Sequence, residues 1–267
     1  MRVVCLGDVV GRPGRVGLQR LLPSLVKRLN ANGVIVNGEN AAGGLGLDAK
    51  TADEIRAAGA SVVTLGDHTW QKKELKVAIE SRTSWLIRPG NYPPGAPGNG
   101  HTIVSLGGEK LGVMNLLGRV FINFPLDCPF RTADALLSGP LKDCPMIVCD
   151  MHAEATSEKL AMARHLDGRV SLVFGTHTHV QTADERILPG GTAFISDLGM
   201  CGSQDGVIGM DARVALQRFL TGLPLAYEVA AGEPVLHGVV CEFDPRSGKA
   251  ISIERVREQV HESVQGG

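Results

Sequence analysis

The sequence predicts an α/β fold with a largely parallel sheet and a second, mixed or antiparallel sheet packed on it. Short runs rich in valine and isoleucine, bounded by Gly, Asn or Asp, alternate with helical patterns from Val3 to Phe174. After Gly190 the pattern changes to short strands joined by turns. The 267 residues, 43% of them hydrophobic, supply enough apolar surface for one large core, so a single domain over residues 1–267 is expected.

Val3 to Leu6 forms the first buried strand, and Val16 to Leu29 the helix after it, with apolar residues at 18, 21, 22, 25, 26 and 29. Val34 to Val36 is the second strand. Asp48 caps a helix that stops at Gly59, and Val62 to Leu65 is the third strand. Residues 88–100, rich in Pro and Gly, read as a surface excursion and not as a linker. Met146 to Cys149 and Leu172 to Phe174 are the fourth and fifth strands, separated by a helix from Glu158 to Leu166 capped by Thr156 or Ser157. The tail contributes Thr192 to Ile195, Gly238 to Phe243 and Ile251 to Val256, the last two joined through the turn Asp244-Pro245-Arg246-Ser247-Gly248. There is no internal repeat and no low-complexity tract.

Charge and cysteine content restrict the partners. With 27 basic and 28 acidic side chains the formal charge is -1, which gives no general attraction to nucleic acid. DNA is not an expected partner. A small nucleotide or an RNA would need a local cluster or metal ions to hold it. The N-terminal apolar run is too short for a signal peptide, and no window approaches the roughly 20 apolar residues of a membrane span. A cytoplasmic protein is expected, with no membrane partner, and a homo-oligomer, as is common for soluble enzymes. Cysteines 5, 128, 144, 149, 201 and 241 include no Cys-x-x-Cys and read as reduced, mostly buried small hydrophobes.

Ligands of parallel α/β sheets bind outside the carboxyl ends of the strands. After the first strand come Gly7-Asp8, after the second Asn37-Gly38-Glu39-Asn40, and after the third Gly66-Asp67-His68. The fourth is followed by Asp150-Met151-His152 and the fifth by Gly175-Thr176-His177-Thr178-His179. On spacing alone the last stretch is either a ligand pair, since i and i+2 of an extended chain point the same way, or a polar loop. Five strand ends that each deliver a carboxylate, carboxamide or imidazole favour a metal site over turn chemistry. Asp8, Glu39, Asn40, Asp67, His152, His177 and His179 offer more donors than one ion can use, and mixed N/O ligands suit Mn, Fe or Zn better than Ca. Two ions are therefore expected. At about 3.5 to 4 Å apart they would clamp the attacking and leaving oxygens of phosphoester hydrolysis.

The blocks Gly-Asp-Val-Val-Gly-Arg-Pro-Gly-Arg (7 to 15), Asn-Gly-Glu-Asn-Ala-Ala-Gly-Gly-Leu-Gly (37 to 46) and Gly-Asp-His-Thr-Trp (66 to 70) carry a resemblance. So do His-Ala-Glu-Ala-Thr-Ser-Glu-Lys (152 to 159), Gly-Thr-His-Thr-His-Val-Gln-Thr (175 to 182) and Asp-Leu-Gly-Met-Cys-Gly (197 to 202). Together, in this order over most of the chain, they resemble the YmdB-type branch of the calcineurin-like metallophosphoesterases. The resemblance implies a four-layer α/β/β/α sandwich of two mixed sheets with a dinuclear centre of divalent or mixed-valence transition metal ions, Fe or Mn first and Zn next. It implies hydrolysis of phosphodiesters, notably 2′,3′-cyclic nucleotides, by attack of a metal-bridging hydroxide. Asp8, Asn40 and His179 would hold one metal, Asp67, His152 and His177 the other, with Glu39 bridging and His68 as proton donor. No substrate-binding residue is assigned.

Position 67 departs from the family, which has Asn there. Asp8, Glu39 and Asp67 then each contribute one negative charge, giving the ligand set -3 where the family has -2. The extra carboxylate should tighten the second metal, blunt its Lewis acidity and favour protonated His68. This altered centre keeps a second reading open, a low-turnover regulatory module that binds nucleotide, RNA or a protein partner.

Other residues carry less. Gly7, Gly11 and Gly14 lack the order of a dinucleotide or P-loop motif. Arg12 and Arg15 are either solvated helix-start arginines or contacts to a substrate phosphate. The glycines between 43 and 46 either admit substrate or make a tight connection, and Trp70 either stacks a base or packs under a loop. His101, His165, His237 and His261 lie outside the strand-end set.

Overall fold

The computed structural model describes residues 1–259, so His261 and the end of the expected 1–267 domain lie outside the described residues. In chain order the first elements are β1 (Arg2–Leu6), β2 (Asp8–Val9), α1 (Gly11–Leu29), β3 (Gly33–Asn37), α2 (Ala49–Ala57) and β4 (Val62–Thr64). Next come α3 (Leu75–Ala78), β5 (His101–Leu106), β6 (Glu109–Leu117), α4 (Pro129–Ser138), β7 (Met146–His152), α5 (Thr156–Leu166) and β8 (Leu172–Thr176). The chain continues through β9 (Arg186–Ile187), β10 (Ala193–Ile195), β11 (Met200–Ser203), α6 (Ala212–Thr221), β12 (Pro234–Phe243) and β13 (Ala250–Gln259).

Strand alternation builds the layers. Val3 and Cys5 of β1, Ile35 of β3 and Val62 of β4 face Val113, Val148, Leu172 and Phe174 of the other sheet and form the core between the two sheets. The opposite faces of the same strands, Val4, Leu6, Val34 and Val36, pack under Leu18, Leu22 and Leu25 of α1 and Ile55 of α2. On the far side Ile147, Cys149 and Val173 pack under Met162, Ala163 and Leu166 of α5. The result is the expected four-layer α/β/β/α sandwich.

Both sheets are mixed, but the chain divides between them differently from the expectation. One sheet runs β2-β11-β12-β1-β3-β4 with β13 paired to β12, and the other runs β5-β6-β7-β8-β10-β9. The five predicted parallel strands therefore do not share a sheet. β1, β3 and β4 lie in the first and β7 and β8 in the second, while the tail splits, its hairpin β12–β13 joining β1 and its β10 joining β8. Strands buried on both faces carry no periodic mark of which sheet they enter, so this partition is not written in their composition.

Two local expectations are corrected. Helix α1 starts at Gly11, not Val16, with Pro13 in its first turn, and it lies so close to β11 that a Cβ on Gly14 would sit 2.3 Å from the Cys201 carbonyl oxygen. That close approach accounts for the Gly-rich start without a cofactor. Helix α5 includes Thr156 and Ser157 in its first turn; Ala155 is at its N-cap with no side-chain cap bond. The 88–100 segment is a surface excursion as expected, with Pro93, Pro94, Gly95 and Asn99 exposed, and it wraps Arg88, whose guanidinium donates to the carbonyls of Pro89 (2.7 Å), Pro97 and Ala96 (3.0 Å each) and Gly98 (3.1 Å). The hairpin β5–β6 was not foreseen; its Gly107-Gly108 turn has φ of 61° and 89°, the conformation a tight two-residue connection requires. By contrast, Asp48 caps α2 as expected, in a reciprocal pair with Thr51.

The six cysteines are free, and Cys128 alone among them is not buried. Among the described residues no helix is long and apolar enough to cross a membrane.

Candidate metal centre

The carboxyl ends of β1, β3 and β4 meet those of β7 and β8 along one edge of the sandwich, and the predicted residues converge there. Glu39, Asp67, His152 and His177 bring ligand atoms to within 4.8 Å of one another. His152 Nε2 lies 3.1 Å from Asp67 Oδ1, 3.2 Å from Glu39 Oε1 and 3.1 Å from His177 Nδ1. The second half of the set is adjacent: Asn40 Nδ2 is 3.2 Å from His179 Nε2, and that nitrogen is 3.8 Å from Asp8 Oδ1. Glu39 Oε1 also accepts from Asn40 Nδ2 at 3.2 Å, so this one carboxylate touches both halves. Gly66 must lack a side chain, since a Cβ there would lie 2.2 Å from Glu39 Oε2 and 2.3 Å from His152 Nε2.

The three ligand-set imidazoles are each oriented by an outer acceptor. His152 Nδ1 donates to Thr176 Oγ1 at 2.8 Å, and that hydroxyl donates in turn to Asp150 Oδ1 at 2.7 Å. His179 Nδ1 donates to the Ile208 carbonyl at 2.9 Å, and His177 Nε2 meets Glu154 Oε2 at 3.0 Å. Each ring thus keeps its other nitrogen for the cluster, as metal-ligating histidines do.

The histidine pair is brought to the cluster, but not by the alternation of an extended strand. His177 and His179 follow β8 in a loop, at φ of 103° and 64°. Positive φ in non-glycine residues costs of order 1–3 kcal/mol each and persists only where the surroundings hold it. The holding groups are a buried ion pair: Lys159 Nζ lies 2.7 Å from Asp197 Oδ2, which accepts from Thr178 N at 3.1 Å, while Asp197 Oδ1 accepts from Gly199 N at 2.9 Å.

Sequence reasoning missed Asp150, Glu154, Lys159 and Asp197 as supports of the centre. The Asp150-x-His152 spacing carried a signal, because both residues lie on one face of β7. Lys159 and Asp197 carried none beyond their presence in the quoted blocks, since their pairing joins segments 38 residues apart.

Electrostatics in the cluster are dominated by burial and opposed charge. Burial would raise the Glu39 carboxyl, but the charge of His152 and hydrogen bonds from His152 and His68 outweigh it and bring it down to about 2. Asp67, also desolvated, is held well below the carboxylate range by hydrogen bonds from His152 and His177. Burial raises Asp8 despite His179 and His152, and it raises Asp150 to about 6. His68 is raised although burial opposes it, because Glu39 accepts its hydrogen bond and both Glu39 and Asp67 are negative.

The donor set fits cations on a direct observation: Asp8 Oδ1 and Asn40 Oδ1 are buried with no hydrogen-bond partner. An orphaned buried acceptor costs about 1–3 kcal/mol, which an ion relieves. These residues could hold two divalent ions through carboxylate, amide and imidazole donors.

Other candidates stand apart. Arg15 pairs with Glu54 at 2.7 Å and donates to the Ala41 carbonyl, and neither it nor Arg12 lines the cavity at the centre. Gly44 and Leu45 do line it, which favours the reading that this turn admits substrate. Trp70 packs edge-on against Tyr92 with centroids 5.8 Å apart, and His165 bonds Asp134 at 2.9 Å.

Two mixed sheets between helices, with a buried carboxylate–imidazole cluster at their shared edge, define a hydrolase of the metallophosphoesterase class. Residues 4–256 match the YmdB-like protein family, and the chain belongs to it. It is 49% identical over 256 residues, 96% of each chain, to a 2',3'-cyclic-nucleotide 2'-phosphodiesterase of Bacillus subtilis (strain 168). A hypothetical protein from Thermus thermophilus superposes with a TM-score of 0.91 at 42% identity, covering 97% of this chain and 99% of that one. A Mycoplasma pneumoniae structure described as a novel phosphatase superposes with a TM-score of 0.90 at 37% identity, covering 97% and 93%.

The charge at position 67 makes a prediction. Asp67→Asn removes a carboxylate in contact with His152 and His177, so it is expected to weaken metal binding at this cluster by roughly tenfold or more. Manganese titration by calorimetry checks it, and equal affinities for both forms would refute it.

Proposed function

We propose that this chain is a dimetal phosphodiesterase that hydrolyses 2′,3′-cyclic nucleotides and works as a single domain. Asp8, Asn40 and His179 would hold one ion and Asp67, His152 and His177 the other, with Glu39 the carboxylate shared between the two donor groups and His68 the proton donor. The observation that carries this is Glu39 Oε1, at 3.2 Å from both Asn40 Nδ2 and His152 Nε2. A carboxylate shared by two donor clusters is what a two-ion centre uses. Two bound divalent ions, with Fe, Mn and Zn all suited to the donors, would neutralise phosphate oxygens and lower the pKa of water.

The remaining chemistry falls to the chain. His68 Nδ1 donates to Glu39 Oε1 at 3.2 Å, which fixes the ring. Its Nε2 is 3.6 Å from Asp67 Oδ2, beyond hydrogen-bond reach, and so keeps a proton for the departing ribose oxygen.

The reading is tested by metal content and turnover together. Manganese-reconstituted protein is expected to hold two ions per chain and to open 2′,3′-cyclic AMP, with chelation abolishing both. Two bound ions without turnover would leave the regulatory, ligand-binding module as the better reading.

A further inference from the structure

The cavity at the metal centre has a lining of two chemistries. Its volume is about 430 Å³, within the range of small-ligand sites, and Glu39, Asn40, His68, His177 and His179 contribute to it. The rest of its lining includes Val207, Ile208, Met210, Ala215, Phe219 and Tyr227, all from residues 207–227. That segment is tied to the centre by the Ile208 carbonyl, which accepts from His179 Nδ1 at 2.9 Å, and Ile208 itself sits at φ 48°. The strained residue places the apolar segment directly beside a ligand-set imidazole.

The exposure of its aromatics has no use within the folded chain. Phe219 is 81% exposed and Tyr227 54% exposed, although both border the cavity. Arg218 lies over the Tyr227 ring at 4.1 Å from the centroid and donates to the Leu225 carbonyl, which steadies a ring that is still 54% exposed. Apart from the Tyr227 hydroxyl and the weakly accepting Met210 sulfur, the six residues of this wall carry no side-chain donor or acceptor.

We propose that residues 207–227 form a nucleobase subsite of the phosphodiesterase centre, with Phe219 and Tyr227 as its aromatic surfaces. The inference rests on the phosphodiesterase reading. Stacking on a π-face is tolerant of base identity, and the Tyr227 hydroxyl is the one strong hydrogen-bonding side-chain group this wall offers a base edge. The subsite therefore selects substrates that have a base over those that lack one, and distinguishes weakly between bases.

The test compares 2′,3′-cyclic AMP with base-free ribose 2′,3′-cyclic phosphate on the manganese-reconstituted full chain. Phe219→Ala is expected to raise KM for cyclic AMP roughly tenfold with little change in kcat, and to lose far less on the base-free ester. Tyr227→Ala should act in the same direction, and Phe219→Trp should restore KM. Calorimetry with adenosine 3′-monophosphate should show the same loss of affinity. Equal losses on both esters, or unchanged KM in both alanine variants, would overturn the subsite. So would a KM change that tracks dissociation of an oligomer in size-exclusion chromatography, since the exposed aromatics would then be an interface. If wild-type protein hydrolyses neither ester, the phosphodiesterase reading fails, and the calorimetric comparison of wild type with Phe219→Ala still decides the subsite.

Discussion

His68→Ala is expected to lower kcat on 2′,3′-cyclic AMP by about 10²–10⁴-fold, the usual contribution of a positioned general acid, with both metal ions retained. The ring is close to the cluster without being part of its tightest core: the four residues within 4.8 Å of one another are Glu39, Asp67, His152 and His177. Losing His68 removes one hydrogen bond to Glu39 Oε1, which keeps contacts from His152 and Asn40. Metal content by elemental analysis should therefore be unchanged. A proton donor also has a substrate signature, because a leaving group as acidic as p-nitrophenol departs without help whereas a ribose alkoxide does not. The variant should lose much less on a p-nitrophenyl phosphodiester than on the cyclic nucleotide. Equal losses on the two, or loss of a metal ion, would remove His68 from the proton-donor role.

Which parts of this molecule could be read in advance follows from how local their causes are. Asp48 and Thr51 sit within one helical turn of each other, so the cap of α2 was visible in the sequence. The residues that converge at the candidate centre were visible because strand ends bounded by Gly, Asp, Asn and His stand out against Val/Ile runs, and because parallel strands deliver such residues to one edge. What stayed hidden depends on pairing across the chain. Nothing in the apolar run Leu172-Val173-Phe174 separates β8, which joins β7 and β10, from β3, which joins β1 and β4. The hairpin β12–β13 returns to pair with β1 across more than two hundred positions, as in Val4 opposite Val240. Helix α1 began early because Gly14 fits against Cys201, a contact no helical periodicity anticipates. The same holds at the centre, where the outer supports Thr176, Asp150 and Ile208 are defined only once the strands are in register.

The strongest of these hidden supports is the pair that holds the histidine loop, and Asp197→Ala is expected to destabilise the protein by about 3–5 kcal/mol. Lys159 and Asp197 side chains are 2% and 1% exposed, so removing the carboxylate leaves an ammonium buried without its counter-charge. It also strips the acceptor from Thr178 N, which fixes the backbone between His177 and His179, and the acceptor from Gly199 N in the turn after Asp197. A loss of this size shifts a melting temperature by roughly 10 °C for a chain of this length. The double variant Lys159→Met, Asp197→Ala should recover part of the loss, because it no longer buries an unpaired charge. It should not recover metal affinity, because the amide that held the loop remains without its acceptor. Thermal melts of the metal-free forms measure the first effect and manganese titration the second. A single variant that melts with the wild type would show that the pair adds nothing to stability, and unchanged manganese affinity in the double variant would show that the loop holds its positive-φ histidines without Asp197.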